Sequence, residues 1–222
     1  MHRLSLLALA GVLTLSACDS TEPDEVVDLE VQTAFDVEAD LASGRDPETG
    51  QAISNNQFTL YDLDEGEIVL LSSETDDAIR QRDSASTAWD IGFRGTDVIF
   101  NGGDSGPGEG SAQIVTEAFA DVTEAPASGY VVDGSNTCAN GDTTVICGGS
   151  DAGWYNYANF TVTPIPGRTI VLTTGDGDYA KVRILSYYRG NPATPGGDSR
   201  YYTFEYVVQP DGSRDFDTTV AE

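Results

Sequence analysis

Apolar and polar residues alternate one by one in short stretches from about residue 35 onward, and almost no stretch repeats with the period of a helix. The two longest stretches carry their apolar side chains on one face each: Ala180, Val182 and Ile184, and Tyr202, Phe204, Tyr206 and Val208. Successive side chains of a β-strand point to opposite faces, so the pattern predicts strands with one buried face. The chain is therefore predicted to be all-β, a mostly antiparallel, β-sandwich-like single domain with long loops.

Turn residues separate the predicted strands. Phe58–Tyr61 and Ile68–Leu71 flank Asp64-Glu65-Gly66, which predicts a hairpin. Further strands are predicted at residues 98–100, 113–119, 168–174, 179–188 and 201–208. The only helical candidate is Thr75–Gln81.

The segment around Trp89 also alternates. Trp89, Ile91 and Phe93 are predicted to face the core together. The residues between them, beginning with Asp90 and ending with Arg94, are predicted to form a polar face.

The first eighteen residues have the form of a lipoprotein signal. Arg3 gives a short positive start, Leu4–Leu15 an apolar run, and two small residues precede Cys18. The run is too short for a bilayer core of about 30 Å, which needs about 20 residues. We expect Cys18 to become the lipidated N-terminus; an ordinary secretory signal with a chance cysteine is the alternative. The chain then divides into a signal peptide, an acidic tether and a β domain, which are residues 1–17, 18–34 and 35–222.

Cleavage before Cys18 would remove the only histidine and the only methionine, His2 and Met1. A chain without imidazole cannot form a Ser-His-Asp triad, a Cys-His pair or the usual zinc site. Paired carboxylates hydrolyse glycosides without histidine, but no spacing among the 37 acidic residues singles out a pair. The protein is therefore not expected to be an enzyme.

Aspartate and glutamate total 37 against 11 lysines and arginines, which gives a net charge of −26. A field of that sign repels phosphate groups, so neither nucleic acid nor an anionic lipid surface is an expected partner. The acids are spread along the whole chain, which favours adaptation to a salt-rich habitat, where charges are screened within about 3 Å at 1 M salt. A calcium-loaded surface is the alternative. Asp176-Gly177-Asp178 lacks the distal glutamate of a calcium loop and is predicted to be a hairpin turn.

Two loops carry residues of chemical interest. Asn101–Gly110 contains five glycines but no lysine, so it is predicted to be a mobile surface loop rather than a phosphate-binding one. Cys138 and Cys147 remain after lipidation of the third cysteine, and in an exported protein they are predicted to form a disulfide that pins a hairpin turning at Asn140-Gly141. A thiolate pair for a metal or haem iron is the alternative.

Aromatic residues are dense around two further loops. Trp154-Tyr155-Asn156-Tyr157 follows the first, and Tyr187-Tyr188 and Tyr201-Tyr202 flank the second. Such residues suit the ends of amphipathic strands, where tyrosine packs its ring and keeps its hydroxyl in water. A stacking surface for a flat hydrophobic ligand is the alternative.

Several segments share their residues and their order with a known family. They are Trp89-Asp90-Ile91-Gly92-Phe93-Arg94, Asn101-Gly102-Gly103, Trp154-Tyr155-Asn156-Tyr157, Thr163-Pro164-Ile165-Pro166-Gly167, Asp178-Tyr179-Ala180-Lys181-Val182, Ser186-Tyr187-Tyr188, Tyr202-Thr203-Phe204-Glu205-Tyr206 and Gln209-Pro210-Asp211-Gly212-Ser213. Together they resemble the HmuY-like haem-binding lipoproteins over about residues 35–217.

The resemblance implies a lipid-anchored β protein that captures haem at the cell surface and passes it to an outer-membrane receptor. The acidic run Asp19–Glu25 also resembles the export tag of surface lipoproteins, with the periplasmic face of the outer membrane as the alternative. Members of the family hold haem iron through two axial histidines or methionines. The matching position before the Thr-Pro-x-Pro element is Phe160, and the other ligand segment falls near the Cys138–Cys147 loop, which has no histidine or methionine. The family's iron ligands therefore cannot be carried over.

Two functions follow from the resemblance and its missing ligands. In the first, the protein binds haem or a related tetrapyrrole, with Trp154, Tyr155 and Tyr157 as candidate cofactor-binding residues. A phenolate of Tyr155 or Tyr157, or no protein group, would then hold the iron. In the second, the same fold is a surface module for protein interaction, or an accessory to a receptor, that no longer binds haem.

Overall fold

The computed structural model describes residues 29–50 and 52–217, which form two main antiparallel sheets. The larger sheet has five strands in the order β1 (Gln32–Glu38), β13 (Ser199–Gln209), β12 (Tyr179–Tyr188), β11 (Thr169–Thr173) and β8 (Ser111–Val115). The smaller has four in the order β5 (Glu67–Leu70), β4 (Thr59–Asp62), β6 (Ile91–Arg94) and β7 (Asp97–Phe100). Two small hairpins, β2 (Gly44–Arg45) with β3 (Ala52–Ile53) and β9 (Tyr155–Ala158) with β10 (Thr161–Pro164), and one helix, α1 (Asp77–Ser84), are also present. The predicted all-β, antiparallel single-domain fold is confirmed.

The individual strand predictions are confirmed with small shifts of their ends. The β4–β5 hairpin turns at Gly66, whose φ of 70° suits glycine. The β11–β12 connection contains the predicted turn at Asp176-Gly177-Asp178, with Gly177 at φ 97°. The strand predicted at 113–119 ends earlier, at Val115.

An aromatic layer fills the space between the two sheets. Phe93 of β6 lies 4.4 Å from Tyr202 and 5.3 Å from Phe204, both on β13, measured between ring centroids. Tyr61 of β4 meets Phe204 edge-on at 5.3 Å. Each such pair adds about 0.5–1.5 kcal/mol beyond the area it buries. The predicted inward faces of β12 and β13 are therefore confirmed as core, with Val208 partly buried at their edge.

The prediction that Trp89 shares a face with Ile91 and Phe93 is wrong. Strand β6 begins only at Ile91, and Trp89 packs on the outer side of the smaller sheet with Leu60 and Ile99. The face predicted to be polar is packed as well. Ile99 lies so close to Gly92 that an added Cβ on Gly92 would be 2.8 Å from Ile99 Cγ1. Both faces of the smaller sheet are thus buried.

Helix α1 begins two residues later than predicted and ends three residues later. Asp76 precedes it and accepts hydrogen bonds from the backbone nitrogens of Ala78 (2.8 Å) and Ile79 (3.3 Å). An aspartate at this position satisfies amide groups that the first turn cannot pair internally, so it fixes where the helix begins.

The glycine-rich loop lies at the surface as predicted, with Gly103, Asp104, Pro107 and Glu109 exposed, but its backbone is closely packed around Asn101. Asn101 is fully buried, and its side chain donates to the carbonyl of Trp89 at 2.7 Å and accepts from Gly108 N at 3.0 Å. A Cβ on Gly102 would lie 1.9 Å from the carbonyl oxygen of Gly110. The glycines are needed because the loop's backbone closes tightly around one asparagine.

Cys138 and Cys147 form the predicted disulfide, with their Cα atoms 5.4 Å apart. The predicted hairpin is not present, because no strand runs through residues 136–149. A tight turn closes there instead, with Gly141 N donating to Cys138 O at 2.9 Å. The sulfur atoms are therefore unavailable as thiolate ligands.

Lys181 is the only lysine of the sequence, and it is buried. Its Nζ donates to the carbonyl oxygens of Phe119 (3.1 Å) and Val122 (2.8 Å). It also lies 4.7 Å from the centre of the Phe119 ring, a cation–π distance. The amine therefore fastens the segment after β8 onto the outer face of the larger sheet.

Strand β1 begins at Gln32, so the β domain extends into the end of the segment assigned to the tether. Cys18 and the residues before it lie outside the described residues. Within residues 29–50 and 52–217 there is no helix long and apolar enough to cross a membrane.

Asp90 ties the two sheets together. Its buried carboxylate accepts from Leu63 N in the β4–β5 turn and from Gly175 N in the β11–β12 turn, each at 2.7 Å. Burial raises the pKa of Asp90 to about 7, and the two amide hydrogen bonds only partly oppose this. One carboxyl group thus joins turns from both sheets. Its burial costs free energy when the group is ionised.

The raised pKa predicts that stability falls as the pH rises. Between the unfolded pKa of about 4 and the folded value, the folded state holds a proton that the unfolded state releases, so the free energy of unfolding decreases by up to about 1.4 kcal/mol per pH unit. Asp90→Asn should flatten this slope between pH 4 and 7. Urea denaturation at several pH values in 1 M salt measures it, and equal slopes for the two proteins would contradict the assignment.

Candidate functional site

A groove of about 610 Å³ lies where the β9–β10 hairpin meets the ends of β12 and β13. We call it the aromatic groove. Its lining residues come from several elements: Arg45, Gly95, Thr96, Gly149, Ser150, Tyr155, Tyr157, Phe160, Val162, Tyr187, Tyr188, Gly197, Ser199 and Arg200. The volume is typical of sites for small molecules and cofactors.

The three predicted cofactor-binding residues have different positions in this region. Tyr155 lines the groove but is 7% exposed, whereas Tyr157 lines it and is 51% exposed. Trp154 does not line the groove; it is buried behind it, with its ring centroid 4.9 Å from that of Tyr155 and its Nε1 donating to Thr96 O at 2.9 Å. Trp154 thus supports the groove from the core, and the two tyrosines form part of its surface.

The hydroxyl groups of the groove tyrosines differ in what they bind. The Tyr155 hydroxyl accepts from Gly149 N at 3.1 Å, and the Tyr188 hydroxyl accepts from Val162 N at 2.9 Å. Burial raises the pKa of Tyr187 to about 12, which opposes its phenolate form. Within the described residues, no hydrogen bond involves the Tyr157 hydroxyl. Tyr157 is therefore the phenol best placed to meet a ligand.

The tip of the β9–β10 hairpin carries an exposed aromatic residue in a strained conformation. Asn159 and Phe160 form its two-residue turn, with φ of 51° and 61°. Turns of this kind favour Asn-Gly, and a residue with a Cβ pays about 1–2 kcal/mol for left-handed backbone. Phe160 is nevertheless 94% exposed. Its ring contributes little to the core and is presented to the solvent beside the groove.

Backbone strain is concentrated at this groove. Most of the described residues with positive φ, glycine aside, are aspartate or asparagine, which tolerate that conformation. The two others are Phe160 and Arg200, at φ 61° and 70°, and both line the aromatic groove. Such strain is typical of functional sites, where the surrounding fold holds residues in place.

The charge of the groove is opposite to that of the chain. Arg45 and Arg200 line it, and no aspartate or glutamate does among the described residues. Asp40, which is buried, pairs with Arg200 at 3.4 Å. No described carboxylate pairs with Arg45. In a chain of net charge −26, this is a local patch of positive charge.

A second cluster, made of acids, is explained by the fold. Asp62, Asp64 and Asp90 bring carboxylate oxygens within 4.8 Å of one another. Both oxygens of Asp90 accept backbone amides, and Asp62 Oδ1 accepts from Asp64 N at 2.9 Å. The carboxylates of Asp62 and Asp90 thus accept backbone amides in turns, a structural role that requires no metal.

The comparisons with known proteins assign this β protein to a family. The family model for the HmuY protein matches residues 54–206, and the chain belongs to this family. It is a family of haem-binding proteins. No curated protein matches the chain.

Several solved structures are similar to this chain. An apo HmuY analogue of Tannerella forsythia is 18% identical at a TM-score of 0.40, covering 82% of this chain and 96% of its own. A protein provisionally described as a lipoprotein, from Bacteroides fragilis, is 16% identical at 0.41, covering 82% and 92%. One provisionally described as an HmuY-like haem-binding protein, from Bacteroides vulgatus, is 17% identical at 0.40, covering 76% and 97%. The family assignment rests on the family model.

Sequence reasoning missed Arg45, Arg200 and the role of the Phe160 turn. The two arginines lie far apart in the chain, and only the fold places them on one groove. The scarcity of basic residues was the available signal, because each arginine in so acidic a chain is a candidate for a specific contact. The Asn159-Phe160 dipeptide between two alternating stretches was the signal for a hairpin tip.

Replacing Phe160 with glycine should stabilise the protein. Phe160→Gly restores the preferred Asn-Gly turn and relieves left-handed strain at an exposed site, so the free energy of unfolding should rise by about 1 kcal/mol. Asn159→Gly is the matched control and should change it by only a few tenths, because asparagine tolerates this conformation. Urea denaturation in 1 M salt measures both, and a lower midpoint for Phe160→Gly would show that its ring supports the fold.

Proposed function

We propose that this protein binds haem, or a related tetrapyrrole, in the aromatic groove and acts as a carrier rather than an enzyme. The observation that carries the proposal is the groove itself, where the described lining combines exposed aromatic rings with two arginines and no acid, in a strongly acidic chain. Haem is flat and apolar with carboxylates at one edge, so it needs both kinds of surface. Membership of a haem-binding family supports the same ligand.

Tyr157 is the proposed iron ligand. Its ring is half exposed in the groove, and its backbone is held by a hydrogen bond from its N–H to Ser150 Oγ at 2.8 Å. Tyrosine is an established ligand of haem iron. The sequence has no histidine after residue 2 and no methionine after residue 1, and the two cysteines near the site are paired. Phe160 offers a stacking ring but no ligand atom.

Haemin titration in high salt tests the proposal. Micromolar haemin should shift the Soret band on binding the purified protein, and Tyr157→Phe should weaken binding and move the visible bands that depend on the axial ligand. Tyr155→Phe is the matched control, because its hydroxyl already hydrogen-bonds inside the protein, and it should keep the wild-type spectrum. A titration without any Soret change would refute haem binding, and an unchanged spectrum in Tyr157→Phe would refute the ligand.

The proposed place of action is the surface of an outer membrane. The lipoprotein signal supports lipidation at Cys18, and the acidic run after it supports a tether that holds the β domain away from the bilayer. From there the protein would pass its ligand to an outer-membrane receptor. Radiolabelled palmitate incorporation that persists in Cys18→Ala would contradict the anchor.

A second function is favoured by the missing histidine and methionine. The same fold would then serve as an interaction module or receptor accessory that no longer binds haem. This function predicts a protein that does not bind haemin but associates with an outer-membrane partner at native salt. The haemin titration separates the two functions.

A further inference from the structure

We propose that Arg45 and Arg200 bind the carboxylates of the ligand, so that the aromatic groove selects a flat aromatic molecule by its acid groups and does so without requiring a metal. This inference rests on the proposed function and specifies how the same site chooses its ligand. It concerns two arginines, neither of which is proposed to bind iron.

Arg45 is the open anchor. It is exposed on the short strand β2, and its Nη1 donates to Gly50 O at 3.0 Å. A guanidinium has five N–H donors, so most of them remain for a ligand. Since no described carboxylate pairs with it, an incoming acid group would be its charge partner.

Arg200 is the fixed anchor. Its side chain is 18% exposed, and Nη1 donates to the backbone oxygen of Asp40 and lies 3.4 Å from that residue's carboxylate. The guanidinium also contacts the hydroxyl of Tyr187 at the groove wall. Asp40 neutralises part of the charge, but these contacts use only some of the five guanidinium N–H donors and restrain the planar group before a ligand arrives.

The charge of the whole chain makes this pair informative. Acidic residues outnumber basic ones by 37 to 11, and the resulting field disfavours any anionic ligand at a distance. In about 1 M salt that field is screened within about 3 Å, so only direct contacts remain effective. A groove with two arginines and no acid among its described residues therefore supplies the contacts that an anionic ligand needs at short range.

Binding of metal-free protoporphyrin IX and of its dimethyl ester separates acid recognition from iron ligation. Both have the same macrocycle, but only the first carries carboxylates. In 1 M salt and equal detergent, the diacid should quench protein fluorescence with an affinity at least about tenfold higher, because only its carboxylates can accept charge-assisted hydrogen bonds from the arginines. Equal affinities would overturn the inference.

Variants assign the effect to the groove. Arg45→Gln should weaken diacid binding about tenfold and leave ester binding unchanged. Arg82→Gln is the matched control, because Arg82 is an exposed arginine on α1 paired with its neighbour Asp83. Arg200→Gln should act like Arg45→Gln if it folds, which its thermal unfolding shows. If Arg45→Gln binds the diacid as wild type does, the inference fails.

The outcomes of these experiments distinguish the arginine inference from the proposed haem-binding function on which it rests. Haemin binding with no preference for the diacid over the ester rejects the arginine anchors and leaves the haem proposal standing. If neither haemin nor either porphyrin binds, both the arginine anchors and the haem proposal are rejected. Diacid binding that Arg45→Gln weakens, with haemin also bound, supports both.

Discussion

The aromatic layer between the two sheets is the interaction on which the rest of the structure depends. Phe93 from the smaller sheet packs on Tyr202 and Phe204 from the larger one, so the sheets are joined by rings rather than by backbone pairing. The hydroxyl of Tyr202, fully buried, donates to Gly95 O at 3.0 Å. Gly95 lines the aromatic groove. Tyr202 thus links the core to the groove, because its hydroxyl donates to the β6–β7 turn and that turn lines the groove.

This connection explains how a groove edged by short hairpins can be rigid. Trp154 packs at 5.3 Å from Tyr202 and hydrogen-bonds the β6–β7 turn, while the Tyr188 hydroxyl accepts from Val162 N in β10. Each wall is therefore attached to the core by a hydrogen-bonded aromatic residue. Rigidity of this kind lets the fold keep Phe160 and Arg200 in conformations that an isolated loop would leave.

The sequence predicted those parts of the fold that depend on local pattern. Alternation identified β12 and β13 with their inward faces, since the two-residue period is visible in any strand with one buried face. It failed at Trp89, because the alternation of apolar and polar residues begins at Trp89 whereas strand β6 begins only at Ile91. The sequence also did not reveal the packing of the glycine-rich loop around Asn101, since this packing depends on contacts between residues that are separated in the chain.

The candidate site could be predicted only in part for the same reason. Tyr155 and Tyr157 were found because they stand together in the sequence, although only the structure separates the engaged hydroxyl from the open one. Arg45 and Arg200 belong to different sheets, and their meeting depends on tertiary packing. A pattern along the chain carries no information on such a meeting.

The burial of Lys181 has a practical consequence for finding partners. It is the only lysine in the sequence, and its Nζ is held by two carbonyl oxygens under the ring of Phe119. The described surface therefore offers no free amine to cross-linking reagents, and capture through lysine would miss a receptor even when it is bound. Reagents that couple through carboxylates have abundant targets on this surface, and they are the chemistry with which its neighbours can be trapped.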